Sequence, residues 1–110
     1  MTRDQTISEI TNRLVDYFRP ERIYLFGSVA RGDEGPDSDL DFCVVLPDDA
    51  PARFYKPGAR QALRGIGTAV DLVRWPSSDF DARAQHVLAS LPAAILREGR
   101  LLYDARRIAA

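Results

Sequence analysis

Three short apolar runs, each followed by glycine or proline, constrain the fold of this chain more than any other feature. They span residues 22–26 (RIYLF), 39–46 (DLDFCVVL) and 68–75 (TAVDLVRW). All three are rich in β-branched or aromatic residues and shorter than a typical helix, so each is predicted to form a strand. A chain whose strands are this short can build only a small sheet.

The first half of the chain also carries helical signals. Five apolar residues recur at helical spacing and predict an amphipathic helix over residues 4–19: Ile7, Ile10, Leu14, Tyr17 and Phe18. After the first strand, a short helical turn is predicted at 29–31 and a loop at 32–37. Helix and strand therefore alternate from the start of the chain.

The second half alternates in the same way. Helices are predicted over residues 59–65 and 77–91, the latter with three apolar residues on one face: Val87, Leu88 and Leu91. Pro92 is predicted to lie in the first turn of a further helix that ends at Gly99, followed by a closing strand at 101–103. The predicted fold class is α/β (α+β), a small mixed β-sheet with helices packed on it.

Length and composition favour one ordinary globular domain. With 110 residues, of which 45% are hydrophobic and 28% charged, residues 1–110 are predicted to form a single domain with one core. Fifteen basic and 16 acidic residues give a net charge of -1, so direct nucleic-acid binding is not expected. The lone Cys43, with no signal-peptide run and no apolar stretch near the ~20 residues of a membrane span, predicts a cytoplasmic location away from membranes.

Three aspartates stand in otherwise apolar strands. Asp39 and Asp41 open the second run and share one face, because side chains alternate along a strand, and Asp71 interrupts the third run. Carboxylates that converge repel one another and need shared protons or a cation. Their oxygens suit Mg²⁺, and two such ions about 4 Å apart would clamp the attacking and leaving oxygens of a phosphoryl or nucleotidyl transfer.

A second candidate feature follows the first strand. Gly27 and Ser28 stand at a predicted helix start, where backbone N–H groups, the Ser28 hydroxyl and Arg31 one turn later could reach a phosphate. Taken singly, these features have plain structural explanations: a solvated acidic pair, an exposed residue of an edge strand, and an ordinary turn. In combination they point to a nucleotide site.

The combined pattern resembles a known family. Gly27-Ser28, a ten-residue spacer, Asp39-Leu40-Asp41 and a later acid at Asp71 are similar to the active-site pattern of the DNA polymerase β-like nucleotidyltransferase superfamily. The segment FGSVARGDEGPDSDLDFCVVL resembles the minimal nucleotidyltransferase (MNT) domain of MntA-type antitoxins in particular, and ILREGRLLYDA is similar to the way MNT chains end. The resemblance covers nearly the whole chain and implies the polymerase β-like fold.

The resemblance also implies a role for each matched residue. Asp39 and Asp41 would bind the divalent cations, and Asp71 would complete the site, either as the base for the incoming hydroxyl or only as a metal ligand. Three further residues would hold the β- and γ-phosphates of the nucleotide: Gly27, Ser28 and Arg31.

MNT chains of this size are typically paired with a HEPN-domain RNase toxin. The resemblance therefore implies Mg²⁺-dependent transfer of AMP from ATP to a hydroxyl of that toxin, expected to be a tyrosine, by a type VII antitoxin that holds two Mg²⁺ ions. Two alternatives stay open: a small-molecule (aminoglycoside-type) nucleotidyltransferase with a separate acceptor subunit, and a toxin-binding module without catalysis. A P-loop NTPase is excluded because no Walker-type glycine run with lysine is present.

The remaining chemistry-bearing residues have ordinary interpretations. Cys43 is predicted to be a buried core thiol, and His86 a surface or packing residue. Four arginines near the end of the chain are predicted to form a solvated face or a contact with an acidic partner: Arg97, Arg100, Arg106 and Arg107.

Overall fold

The computed structural model describes residues 2–32 and 39–108, with the backbone but not the side chain of Ile108. In chain order these residues form α1 (Arg3–Phe18), β1 (Arg22–Phe26), α2 (Gly27–Arg31), β2 (Leu40–Leu46), β3 (Val70–Pro76), α3 (Ser77–His86), α4 (Leu91–Glu98), β4 (Arg100–Asp104) and α5 (Ala105–Ile108). Two 3₁₀ helices, Ala52–Tyr55 and Pro57–Leu63, connect β2 to β3. Most of the loop predicted at 32–37 lies outside the described residues.

The strands form one sheet in the order β3-β2-β1-β4. β1 is antiparallel to both β2 and β4, whereas β2 and β3 are parallel. A parallel pair needs a long crossover connection, which the two 3₁₀ helices supply. The predicted mixed sheet is therefore confirmed. No helix in the described ranges is both long and apolar enough to cross a membrane.

One face of the sheet packs against α1 and the 3₁₀ helices. The buried side of α1 consists of the apolar residues at helical spacing: Ile7, Ile10, Leu14 and Phe18. Thr2 begins this helix with a capping box, since its hydroxyl accepts from the Gln5 N–H (3.1 Å) and the Gln5 side chain accepts from the Thr2 N–H (2.8 Å). The helix predicted over 4–19 is confirmed to within one residue at each end.

The opposite face is only partly covered, by α3 and α4. These helices bury a second cluster: Tyr24, Cys43, Val45, Phe80 and Ile95. The Tyr24 and Phe80 rings stack with centroids 5.6 Å apart, and Arg22 of β1 donates to Asp81 of α3 at 2.8 Å. The cover does not reach the end of the sheet where β1 finishes and β2 and β3 begin. The residues on this face there are exposed or half-buried: Phe26, Asp39, Asp41 and Asp71.

The helix predicted over 77–91 is wrong in its last third. α3 ends at His86, and Val87, Leu88 and Leu91 are exposed rather than packed on the sheet. The physical reason is Ser90, whose hydroxyl accepts from the Ala93 N–H (3.2 Å) and donates to the Val87 carbonyl (2.7 Å). This cap starts α4 and breaks the predicted helix into two.

The helix predicted over 59–65 is also corrected. The segment is the 3₁₀ helix Pro57–Leu63, which buries only Ala59 and Leu63. Two buried side chains in seven residues do not form the continuous apolar face that stabilises an α-helix against a sheet. Short 3₁₀ helices are common in such connections. Arg64 follows with a non-helical backbone, and Gly65 with φ of 77° turns the chain away from the helical path.

Candidate active site

The three aspartates predicted to converge lie at one end and on one face of the sheet. Asp41 of β2 is the register partner of Asp71 in the parallel strand β3, so their backbones are about 4.8 Å apart. Asp39 precedes Asp41 by two residues and therefore shares its face. That face is the one partly covered by α3 and α4, because Cys43 and Val45 continue the same alternation into the second cluster.

The electrostatics of Asp41 reflect this crowding. Burial raises the pKa of the Asp41 carboxyl, and the negative charges of Asp71 and Asp39 raise it further. Arg31 acts in the opposite direction and lowers the pKa of Asp41. The end of the sheet therefore concentrates negative charge around Asp41, with one guanidinium close enough to moderate it.

Gly27 faces the Asp41 carboxylate from the end of β1. Phe26, the last residue of β1, pairs with Asp41, and Gly27 follows with φ of 77°, a conformation that L side chains rarely adopt. A Cβ at this position would overlap the Asp41 carboxylate and lie 3.1 Å from its Cγ. Glycine is thus required here by both backbone conformation and space, which brings the start of α2 against the acidic cluster.

Ser28 and Arg31 lie on α2, which contacts both β1 and β2. Ser28 is half-buried and Arg31 is exposed. The predicted turn at 29–31 is confirmed and extended, since α2 spans Gly27–Arg31. All six residues predicted from the sequence therefore belong to neighbouring elements at one end of the sheet.

Glu98 is a neighbour of this site that the sequence did not single out. Its Oε2 lies 3.9 Å from Nη1 of Arg31, and both side chains are about half exposed. Gly99 places the end of α4 here, since a Cβ on Gly99 would lie 2.6 Å from the Ile95 carbonyl oxygen and 3.0 Å from that of Leu25. Gly99 was predicted only as a helix stop, and no spacing signal in the sequence indicates its contact with β1.

The other predicted residues lie outside this cluster. Cys43 is fully buried, and burial raises the pKa of its thiol to about 12, which confirms an inert core cysteine. His86 is exposed at the end of α3. The four late arginines are exposed as predicted, although Arg97 donates to the Leu88 carbonyl and Arg106 pairs with Asp104.

The donor set of the site fits a hard divalent cation. Across residues 2–32 and 39–108, no group of three His, Cys, Asp or Glu side chains is already arranged to hold a metal ion. Mg²⁺, however, is usually bound by one or two carboxylates together with waters and substrate phosphates. The mutually repelling Asp39, Asp41 and Asp71 provide such carboxylates, and a cation would relieve the repulsion that raises the Asp41 pKa.

A mixed sheet that holds clustered carboxylates against a glycine bend is an arrangement suited to enzymes that act on nucleotide phosphates. A family model described as a nucleotidyltransferase domain matches residues 7–99. The chain belongs to this family, and it is an enzyme of the nucleotidyltransferase class whose substrate is a nucleotide.

Individual relatives agree with this assignment. A protein of Methanocaldococcus jannaschii assigned as a protein adenylyltransferase is 29% identical over 105 residues, which cover 94% of this chain and all of the relative.

Solved structures share the fold. A nucleotidyltransferase structure from Sulfolobus solfataricus superimposes with a TM-score of 0.64 at 21% identity, covering 94% of this chain and 81% of that one. A toxin-antitoxin structure with AMP-PNP gives 0.59 at 24% identity, with coverages of 92% and 75%. The MntA-HepT toxin-antitoxin structure gives 0.58 at 20% identity, with coverages of 96% and 76%.

Proposed function

We propose that this protein is a Mg²⁺-dependent protein adenylyltransferase that transfers AMP from ATP to a tyrosine hydroxyl of a HEPN-type RNase toxin, and so acts as a type VII antitoxin. The relative that matches along nearly the whole chain is assigned as a protein adenylyltransferase. Among proteins of the same fold are toxin-antitoxin pairs, one of them with an ATP analogue. These likenesses support an adenylyl donor and a protein acceptor.

The observation that carries the proposal is the contact between Gly27 and Asp41. It brings the backbone of the bend that we propose binds phosphate against a carboxylate whose neighbours are Asp39 and Asp71. A triphosphate seated on Gly27 and Ser28 would thus have its α-phosphorus beside the acids. This is the geometry that a nucleotidyl transfer requires.

Each residue has a specific task in this proposal. Ser28 donates a hydrogen bond to the β- or γ-phosphate, the Gly27 backbone approaches it closely, and Arg31 offsets phosphate charge. Asp39 and Asp41 would hold Mg²⁺, with two ions expected. When bound, Mg²⁺ supplies charge neutralisation for the phosphates and for the attacking and leaving oxygens.

The transfer step balances without any further reagent. The acceptor hydroxyl oxygen forms a bond to the α-phosphorus of ATP, and the bond from that phosphorus to the oxygen bridging the α- and β-phosphates breaks. The hydroxyl proton goes to the Asp71 carboxylate, and pyrophosphate leaves with the electron pair. Asp71, exposed beside Asp41, is open to an incoming hydroxyl. The cytoplasmic location stays a prediction.

The experiment is transfer of label from α-³²P-ATP in the presence of Mg²⁺ to a purified HEPN-domain RNase from the same genome. We expect labelled RNase with the wild-type protein and a loss of at least about 10³-fold with Asp39→Asn or Asp41→Asn, since these acids would position the reacting groups. Asp16→Asn is the matched control, because Asp16 is exposed on α1 at the other face of the sheet.

Other outcomes would contradict the proposal in distinct ways. Label that survives both Asp39→Asn and Asp41→Asn refutes the site. Label on an aminoglycoside but not on the RNase favours a small-molecule transferase. Full inhibition of the RNase by Asp41→Asn without ATP favours a binding module that needs no catalysis.

A further inference from the structure

Three large exposed hydrophobic side chains of the described residues lie within five consecutive positions, at the end of α3 and the start of α4: Val87 (45% exposed), Leu88 (79%) and Leu91 (39%). A fourth, Leu96 (50%), lies about 140° around α4 from Leu91, on the other side of the buried stripe of this helix. Single exposed apolar residues are ordinary, but a group of neighbouring ones is typical of a surface that a partner covers. We call Val87, Leu88 and Leu91 the apolar corner.

Specific hydrogen bonds hold the apolar corner in shape. The single proton of the Ser90 hydroxyl is donated to the Val87 carbonyl at 2.7 Å, with the Arg83 carbonyl as a second acceptor at 3.1 Å, and Arg97 donates to the Leu88 carbonyl at 3.1 Å. The exposed leucines therefore stand on a capped turn rather than on a fraying helix end. A surface fixed in this way loses little conformational entropy when it binds.

The apolar corner and the candidate active site lie on the same side of the sheet, the side that α3 and α4 partly cover. α4 runs from Leu91 to Glu98, a rise of about 10 Å at 1.5 Å per residue. At its far end Glu98 is 3.9 Å from Arg31, whose charge acts on Asp41. A protein seated on the corner would thus be one short helix away from the reacting groups.

The charges around the corner specify the chemistry of its partner. The acidic Asp81 and Glu98 of this layer face Arg22 and Arg31. Asp79 lies in the first turn of α3, away from the corner. Two arginines flank the turn itself, Arg83 and Arg97, and both are exposed. A partner that complements this surface presents apolar side chains with acidic residues beside them.

We propose that the apolar corner docks the acceptor protein of the transfer reaction through an amphipathic helix whose apolar face is flanked by acidic residues. This inference rests on the proposed function, because it names the surface that holds the proposed acceptor. Docking here leaves Gly27 and the three aspartates uncovered. The acceptor hydroxyl can then reach them while the partner stays bound.

The test is the dissociation constant of the HEPN-domain RNase, measured by calorimetry without ATP. The double variant Leu88→Ser/Leu91→Ser removes two apolar anchors, and we expect binding at least about 30-fold weaker, as for central interface residues. Leu88→Met is the matched control, since it keeps an apolar side chain and should stay within about threefold of wild type. If the double variant unfolds, the same binding measurement is made with Leu88→Ser alone, because Leu88 is the most exposed of these residues.

The role of charge is tested separately with Arg83→Glu. This substitution reverses the charge of one arginine beside the apolar corner and keeps the backbone carbonyl of residue 83, which lies 3.1 Å from the Ser90 hydroxyl. We expect binding about tenfold weaker and less sensitive to salt, because a complementary contact has become repulsive. ATP binding should be the same in all variants. Because the corner lies outside the nucleotide site, a parallel loss of ATP binding would indicate a structural effect and count against docking.

The remaining outcomes separate this inference from the proposed function. If the double variant binds the RNase as wild type does while Asp41→Asn abolishes transfer, the docking surface is wrong and the function stands. If the corner instead mediates self-association, sedimentation will show a wild-type dimer that the double variant lacks, and the named occupant is wrong. If the RNase does not bind the wild-type protein, the docking inference falls.

Discussion

The two ends of one sheet face differ in almost every physical property. At the covered end, Tyr24 and Cys43 are buried beneath α3 and α4, together with Phe80 of α3. At the open end, Asp41 and its acidic neighbours face solvent beside Gly27. Both ends use the same strands, so the difference comes from their side chains and from the helices α3 and α4 that cover only one end.

The contrast shows how a small domain can separate stability from chemistry. The covered end buries apolar area and stabilises the fold. The open end concentrates like charges that destabilise the metal-free protein but suit a cation and phosphates. Substitutions at the two ends should therefore have opposite signatures, one on folding and the other on activity.

The largest expected difference is in the reactivity of Cys43 at the covered end. Burial raises the pKa of its thiol to about 12. The thiolate fraction at neutral pH is therefore about 10³-fold below that of a free cysteine. Labelling by iodoacetamide should be slow in the native protein and fast in urea. Rapid native labelling would mean that this end opens readily.

Gly27→Ala should have the next largest effect, at the open end. The new methyl group overlaps the Asp41 carboxylate and the backbone keeps φ of 77°. We expect nucleotidyl transfer to fall about 100-fold, since small displacements at a reacting centre have effects of this size. Steady-state transfer rates with α-³²P-ATP measure it. Wild-type rates would show that the bend does not face the acids.

Gly99→Ala tests the contact between the end of α4 and β1. Its Cβ would press on the Ile95 and Leu25 carbonyl oxygens, and we expect a loss of about 1–3 kcal/mol in the free energy of unfolding. Gly58→Ala is the matched control, because nothing lies within 4 Å of a Cβ there. Urea unfolding gives the free energy of unfolding of both variants. If Gly99→Ala is as stable as Gly58→Ala, the end of α4 moves without cost and the account of this contact is wrong.

The smallest expected effect is a gain of stability, below about 1 kcal/mol, from Asp41→Asn in the metal-free protein near pH 7. The pKa of the Asp41 carboxyl is raised in the folded state. Below the pKa of the unfolded chain this carboxyl is protonated in both states and does not lower stability. As pH rises through the folded pKa the carboxylate forms, and its repulsion from the neighbouring acids lowers the free energy of unfolding. The gain should therefore shrink toward low pH. Thermal unfolding across pH measures it, and a gain that grew toward low pH would contradict the electrostatic account.

Strands and site residues were predictable because each carries a local signal. The run RIYLF is apolar and short and forms β1 with the predicted bounds, and the spacing of Asp39 and Asp41 alone fixes their common face. Their approach to Asp71 depends on strand order and register, which are non-local. The sequence indicates that such a convergence is possible, because all three acids lie on strands of one predicted sheet, and the family resemblance implies it.

The errors have two sources, a helix cap that outweighed the apolar pattern and tertiary contacts that no motif indicates. Val87, Leu88 and Leu91 were predicted on one helix face, but the Ser90 cap is a stronger local signal that starts a new helix before the face is complete. Glu98 and Gly99 carry no motif, and their places near Arg31 and Leu25 follow from the packing of α4 on β1. Such contacts are visible only in three dimensions.

The most direct measurement of the central claim is a crystal structure of the protein with Mg²⁺ and a non-hydrolysable ATP analogue. The account predicts phosphate oxygens at the Gly27 backbone and the Ser28 hydroxyl, and Mg²⁺ between those phosphates and the carboxylates of Asp39 and Asp41. A nucleotide bound on the α1 face of the sheet, or an ion that none of the three aspartates contacts, would contradict it.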